Sequence, residues 1–247
     1  MMKQLTTLAA ATVLVVMLAA VAYATPSTTY WTPCTLDFQA PGVTHITYDS
    51  YVHPGNPAGD TVPALANDYG LTWGHAFKDG LAIEYGVDYL VPSTYPLSFN
   101  AKIGFPEKTL SPSAPAIEVG VFNVGTKSGV TNQDVVYGLV GRSLPNNCGR
   151  LSVAYYVGGN KAALAGSNGQ GFMVAYDKSL LKSKDKSYDK VIVAADYASG
   201  KNYIGGGGVG LYYYFTPNID LLAGPVWFND KALNGNAKVT MQCDISY

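Results

Sequence analysis

The feature that most constrains this chain is strict alternation of apolar and polar residues over stretches of about ten. In "GLAIEYGVDYLV", residues 80–91, every second residue from Leu81 to Val91 is Leu, Ile, Tyr or Val. "LSFNAKIGF" and "RLSVAYYVG" follow the same rule. Side chains alternate between the two faces of a β-strand, so each stretch predicts a strand with one apolar face. Strands of nine to eleven residues are long for a globular sheet but suit a tilted crossing of a bilayer.

The same period predicts twelve strands, with ten to fourteen compatible with the pattern. They cover residues 43–52, 68–77, 80–91, 97–105, 116–124, 134–142, 150–158, 171–177, 190–198, 203–215, 219–228 and 238–247. An even number of strands suits an antiparallel sheet closed on itself. The Lys- and Ser-rich stretch "KSLLKSKDKSYD", residues 178–189, is predicted to be a solvated loop or a short helix.

The distribution of aromatic residues favours a membrane barrel over a soluble sandwich. Large aromatic residues lie on the apolar faces toward the strand ends: Trp73, Phe77, Tyr89, Phe105, Tyr197, Tyr213, Phe215, Trp227 and Tyr247. This is the placement of aromatic girdles at the two water–lipid interfaces. The opposite faces carry Gly, Ser, Ala and isolated charges, which suit a polar lumen better than a dry core. We therefore predict an all-β fold, a closed antiparallel transmembrane β-barrel.

Three segments follow from the start of the chain. Residues 1–24 have the basic start, apolar run and Ala-Tyr-Ala ending of a cleaved signal peptide. Residues 25–42, which include Trp31, Pro33 and Cys34, are expected in the lumen or in the periplasm. Residues 43–247 are predicted to form the barrel.

Charge and cysteine content exclude several other functions. The formal net charge of −1 argues against a nucleic-acid partner. Cys34, Cys148 and Cys243 form an odd set, in which pairing of the first two stays open. No Cys/His cluster has the spacing of a metal site, and no cofactor is expected.

The last strand, "NAKVTMQCDISY", carries a resemblance to a known class. Val239, Met241, Cys243, Ile245 and Tyr247 alternate with polar residues up to the final position. This ending resembles that of bacterial outer-membrane β-barrel proteins, whose assembly machinery reads a terminal aromatic residue. The resemblance implies a porin-like barrel in the outer membrane of a Gram-negative cell. It also implies outer-membrane lipid and the assembly machinery as partners, and Tyr247 as the assembly signal. The stretch from residue 25 to 51 looks like the opening of uncharacterised exported proteins.

Charged residues on the polar faces are the candidate functional site. The predicted lumen-lining residues are Asp49, Glu84, Asp88, Lys102, Glu118, Arg142, Arg150, Lys190, Asp196, Asp220 and Lys238, and Asp244 has the same parity. They could select solutes by charge in a narrow pore, with a slight preference for cations. They could equally form a salt-bridge network that fills the interior.

The glycine run "GGGGVGLYYYF", residues 205–215, is predicted to be a strand with structural glycines. Gly206, Gly208 and Gly210 would face the lumen and leave room for a tyrosine ring or a solute. A phosphate-binding loop would need a helix start after the glycines, and the pattern predicts none.

These features together predict a narrow porin-like channel for passive passage of small solutes, and not an enzyme. One alternative is an outer-membrane lipid-modifying enzyme, for which Ser50 near His45 and the histidines His53 and His75 are the available residues. It would gain support from a Ser or Asn side chain within hydrogen-bond reach of His45 or His75. The other alternative is a secreted soluble β-sandwich that acts as a binding module.

Overall fold

A computed structural model describes residues 29–55, 65–166 and 168–247 of the chain, and the predicted signal peptide lies outside them. The described chain forms twelve strands in one closed barrel, in which each strand pairs with its neighbours in sequence. The strands are β1 Thr44–Val52, β2 Asn67–Ala76, β3 Ala82–Val91, β4 Leu97–Phe105, β5 Ala116–Gly125, β6 Val135–Ser143, β7 Arg150–Gly158, β8 Gln170–Lys182, β9 Asp189–Ala198, β10 Gly206–Thr216, β11 Ile219–Phe228 and β12 Lys238–Ser246. This confirms the predicted all-β closed barrel and its strand count.

The barrel closes through antiparallel pairing of the first and last strands. The Thr44 and Tyr247 backbones exchange two hydrogen bonds, at 2.9 and 3.0 Å, so the final residue completes the seam. We call this end, where β1 begins and β12 ends, the terminal end, and the opposite end the distal end. Closure leaves no unpaired sheet edge, which is what a β-structure in hydrocarbon requires.

The outer surface carries the apolar rows that the alternation predicted. Val119, Tyr155 and Phe172, from three different strands, are each more than half exposed. Their sequence neighbours Glu118, Ala154 and Met173 are buried on the inside. A soluble sandwich would bury these rows between two sheets, so that alternative is wrong. None of the helices in the described part of the chain is long and apolar enough to cross a membrane.

The connections at the two ends differ in form. Two one-turn helices, α1 Lys161–Leu164 and α2 Lys231–Asn234, lie in distal connections. At the terminal end the loop predicted at 178–189 is present but shorter, covering residues 183–188. Strand β8 extends to Lys182, and a short turn leads directly to Asp189. In that turn the hydroxyls of Ser183 and Ser187 donate to Asp185 and lower its pKa to about 2.

Candidate functional site: the barrel lumen and the segment inside it

Residues 29–41 run through the interior of the barrel, and we call them the luminal segment. Tyr30, Thr32 and Cys34 are almost completely buried there. The segment enters at the terminal end, where Pro41 bridges Gly74 of β2. A Cβ on Gly74 would lie 1.6 Å from the carbonyl oxygen of Gln39, so only glycine permits this approach. From there the segment runs, toward lower residue numbers, to the distal end, where the Trp31 indole donates to the carbonyl of Ile204 at 2.6 Å.

Asp196 of β9 holds the far end of the luminal segment. One of its carboxylate oxygens accepts the backbone N–H groups of Tyr30, Trp31 and Thr32 at 3.0, 2.8 and 2.7 Å. The Thr32 hydroxyl donates to the same oxygen at 3.0 Å. Successive N–H groups aimed at one point form an anion-binding concavity, and here the anion is a side chain of the wall. The buried carboxylate is thereby satisfied without a cationic partner.

Arg150 of β7 holds the middle of the luminal segment. Its guanidinium group makes a two-point contact with the Asp37 carboxylate, at 2.6 and 2.7 Å, and a further bond to Asp177 at 2.8 Å. The positive charge of Arg150 compensates the cost of burying the Asp37 carboxylate. Lys102 donates to the Asp37 carbonyl, and Glu84 accepts the Gln39 N–H at 2.6 Å.

The glycine run of β10 is where the Tyr30 ring lies. The Tyr30 hydroxyl donates to the Ala223 carbonyl at 2.9 Å, across the face of β10 and β11. A Cβ on Gly210 would be 2.1 Å from that hydroxyl, and one on Gly208 would be 3.0 Å from the Tyr30 Cβ. The inward glycines therefore make room for a tyrosine ring, as their structural interpretation predicts. The ring comes from the luminal segment, more than 170 residues away in sequence.

The luminal segment separates two cavities. The distal cavity, of about 650 Å³, lies against β1–β5; it reaches Ser93 and Val130 in the distal loops and extends down the wall to His45 and Asp244. The terminal cavity, of about 750 Å³, lies against β7–β10 and reaches Asn147 and Ser187 in the terminal turns. Of the described residues, none lines both cavities. The luminal segment contributes Tyr30 and Trp31 to the distal cavity, and Thr35 and Asp37 to the terminal cavity.

The structure places most of the predicted lumen-lining charges inside the barrel. These are Asp49, Glu84, Asp88, Lys102, Glu118, Arg150, Asp196, Asp220 and Lys238, and Asp244 lies with them. Many contact other protein groups. The Lys102 ammonium lies 3.6 Å from Glu84 and 3.8 Å from Glu118, and the Lys238 ammonium donates to the Asn234 carbonyl at 2.9 Å.

Arg142 and Lys190 lie elsewhere, and the luminal position predicted for them is wrong. The inward face of β6 is Val135, Tyr137, Leu139 and Gly141, which leaves Arg142 on the exposed face. The Lys190 ammonium lies 5.3 Å from the ring centroid of Tyr213, a residue of the outer surface. Irregular pairing of β8 with β9 between Ser179 and Lys182 breaks the alternation there. Such a bulge reverses which residues face inward.

Several luminal residues were not among the predicted candidates. Asp37 and Gln39 belong to a segment whose course has no periodic signal. Asp68 stands at the first position of a predicted strand, where the parity rule does place it inward, opposite Asp49. The His45 side chain also faces inward, and the residue is 3% exposed.

His45 has a serine hydroxyl within hydrogen-bond reach, which is the condition given above for an enzyme. Its Nδ1 lies 3.1 Å from the Ser246 hydroxyl, and its Nε2 lies 3.1 Å from the Asp244 carboxylate. The three residues face inward across the β1–β12 seam, where His45 is directly opposite Ser246. Yet Ser246 is 2% exposed and, within the described residues, lines neither cavity. A nucleophile needs space beside it for the atom it attacks, and neither of these two cavities offers that space to the Ser246 hydroxyl. His75 is on the exposed outer face, against the Phe77 ring.

The three cysteine thiols are free. Cys34 is buried in the luminal segment, and its sulfur lies 3.6 Å from the Ser152 hydroxyl of β7. Cys148 is exposed in a terminal turn, so the pairing that the sequence left open is not formed. No group of three or more His, Cys, Asp or Glu side chains in the described ranges has the arrangement of a metal site.

Comparison with known proteins identifies the fold. A structure described as "KdgM porin" aligns with a TM-score of 0.51 at 14% identity, over 83% of this chain and 98% of that one. A "NanC porin" structure aligns with a TM-score of 0.47 at 9% identity, over 83% and 98% of the two chains. An outer-membrane channel from Pseudomonas putida F1 gives 0.46 at 9% identity, over 92% and 98%. No protein-family profile matches the chain, and no curated protein matches it in sequence. The likeness to the first of these structures shows the fold alone, which here is a closed barrel of twelve antiparallel strands.

Proposed function

We propose that this protein is an outer-membrane channel that passes small solutes, with the luminal segment as its constriction. The observation that carries the proposal is a lumen lined by charged residues that holds two cavities, with a non-covalently held segment between them. Twelve strands enclose more space than the eight whose interior side chains fill completely, and less than the wide channel of sixteen. The terminal end would face the periplasm, which is where the first strand of outer-membrane barrels begins and the last strand ends.

The filled-interior alternative explains only part of the lumen. Lys102, Glu84 and Glu118 form a buried ionic group, and Arg150 joins Asp37 to Asp177. These groups hold the luminal segment or the wall next to it. A purely structural interior would have no need of two separate cavities of ligand-pocket size.

Single-channel recording in a planar bilayer tests the proposal. The full chain should give small unitary currents, and a variant that lacks residues 29–40 should give currents several times larger, because the two cavities would merge. Asp185→Asn, in an exposed terminal turn, is the matched control and should behave as the full chain does. Heat-dependent gel mobility verifies that each variant is a folded barrel. Silence from both the full chain and the deletion variant would overturn the proposal.

We further propose that the protein is not an enzyme. The inaccessibility of Ser246 beside His45 supports this view, and the Ser246→Ala variant tests it. The variant should leave the lipid composition of the host membrane unchanged. A loss of lipid or ester hydrolysis in that variant would instead assign a catalytic role to the trio.

A further inference from the structure

One wall of the distal cavity carries three carboxylates in a row. Asp49 of β1 is directly opposite Asp68 of β2, and Asp88 follows on β3. All three line the distal cavity. Like charges directly opposite each other on antiparallel strands destabilise the pairing. The row therefore has a cost in the empty barrel that a positively charged ligand would remove.

The row lacks a cationic partner of its own. Among the described residues, no Lys, Arg or His lies within ion-pair distance of Asp49, Asp68 or Asp88. The donors that reach them from the described residues are neutral: the Thr47 hydroxyl at 2.9 Å from Asp49, the Asn100 amide at 3.0 Å from Asp88, and the Tyr69 backbone N–H at Asp68. The other acids of this cavity differ, because Asp244 contacts His45 and Glu84 contacts Lys102.

A second observation at the same place points to a ligand. Ser98 of β4 is directly opposite Asp88 and lines the same cavity. Its side chain is 5% exposed, and its hydroxyl has no hydrogen-bond partner within the described part of the chain. One carboxylate oxygen of Asp68 is also buried and unpartnered. Buried polar atoms in native structures normally have partners, so these atoms mark a position that a ligand would fill.

The spacing of the row indicates the class of ligand. Neighbouring strands are about 4.8 Å apart, so the three carboxylates extend over roughly 10 Å. One metal ion cannot contact such a row, and the described residues hold no metal-type cluster. Two ammonium or guanidinium groups on one flexible molecule could contact it. The rings of Trp31 and Tyr51 also line the cavity and offer apolar and π surface to the carbon chain of such a ligand.

We propose that the distal cavity binds a small organic cation with two or more positively charged nitrogen atoms along the row Asp49, Asp68, Asp88 and Ser98. The proposal rests on the channel function above and adds the class of solute that this channel admits. It assigns binding to Asp68 and Asp88, with the Ser98 hydroxyl as an acceptor for one ammonium N–H. Anionic solutes would be repelled from the same cavity.

Isothermal titration calorimetry with the full chain in detergent tests the binding, with 1,4-diaminobutane as the probe. The diamine should bind to the unmodified protein, while 1,4-butanediol and succinate should not. Asp68→Asn and Asp88→Asn should each weaken binding about tenfold or more, because each removes a charge-assisted hydrogen bond. Asp189→Asn, in the terminal cavity, is the matched control and should bind as the unmodified chain does.

Three results would overturn the proposal: no heat of binding with the diamine, equal affinity in Asp68→Asn, or displacement of the diamine by Mg²⁺ at equal concentration. The row variants remove repulsion and should fold, which heat-dependent gel mobility verifies. Calorimetry needs no ion current. If the protein binds the diamine but both the full chain and the variant that lacks residues 29–40 are silent in the bilayer, the channel function is disproved and the site stands. A protein that conducts ions but does not bind the diamine would disprove the site and leave the channel function standing.

Discussion

Asp196 shows how a single buried residue positions a whole segment. Three consecutive N–H groups and a hydroxyl converge on one of its oxygens, and the luminal segment turns at that point. Hydrogen bonds to a charged acceptor contribute about 1.5–3 kcal/mol each, and an unsatisfied buried N–H costs about as much. The position of the segment should therefore depend strongly on this carboxylate.

We expect Asp196→Ala to loosen the luminal segment by roughly 2–3 kcal/mol, since three N–H groups lose their acceptor. The measurement is the rate at which a maleimide labels Cys34, which is fully buried in the native protein. Replacing Cys148 and Cys243 by Ser leaves Cys34 as the only thiol. Labelling should become about 30- to 100-fold faster, in proportion to the opened population. Asp196→Asn keeps one oxygen acceptor and should fall between; an unchanged rate in the Ala variant would exclude this role.

At the scale of elements, β10 and the luminal segment pack closely because the inward glycines of β10 have no side chains. The inward positions of β10 change from Gly208 and Gly210 to Tyr212 and Tyr214, and Tyr30 packs edge-on against Tyr212 with ring centroids 6.1 Å apart. The glycines thus form a recess whose lower edge is aromatic. A side chain in that recess would compete directly with Tyr30.

Gly210→Ala should displace Tyr30, because its new Cβ would lie 2.1 Å from the Tyr30 hydroxyl and 2.2 Å from the Ala223 carbonyl. We expect faster labelling of Cys34 and a lower unfolding midpoint in urea. Val209→Ala, at the adjacent outward position, is the control and should leave the labelling rate unchanged. If both variants label alike, the recess does not hold the segment.

The elements also show what the sequence could predict. Alternation reports side-chain direction directly, so strand count, outward rows and most inward charges followed from it. It fails where pairing is irregular, as for Lys190, and where the inner face of a strand is apolar, as for Arg142. The course of the luminal segment has no period to read. Its partners Asp196 and Arg150 lie more than a hundred residues away, and only the closed barrel brings them together.

At the scale of the whole molecule, an apolar exterior around a charged interior is stable only in a membrane. Water would leave the outer rows exposed, while hydrocarbon covers them and accepts no unpaired backbone group. Val119, near the middle of β5 and 54% exposed, lies on this outer surface. Substituting Val119 therefore tests whether this surface contacts lipid or water.

Val119→Arg should cost roughly 2–4 kcal/mol if the residue faces the centre of the bilayer. Urea titration of the protein folded into lipid vesicles, followed by heat-dependent gel mobility, measures this difference. Val119→Leu keeps the apolar character of the side chain and should unfold at the same urea concentration as the unmodified protein. Equal stability of the Arg and Leu variants would mean that this surface does not contact lipid.

The most direct test concerns the segment in the lumen, and a disulfide provides it. The Cys34 sulfur lies 3.6 Å from the Ser152 hydroxyl, so Ser152→Cys places two thiols in contact on the inner wall. Val153→Cys, at the next and outward-facing position, is the control. Both variants carry Cys148→Ser and Cys243→Ser, and mass spectrometry of the membrane-inserted protein detects the cross-link after mild oxidation. We expect a Cys34 disulfide in the Ser152→Cys variant and none in the Val153→Cys variant. A freely reactive Cys34 in both variants would contradict it, because the segment would then lie outside the barrel.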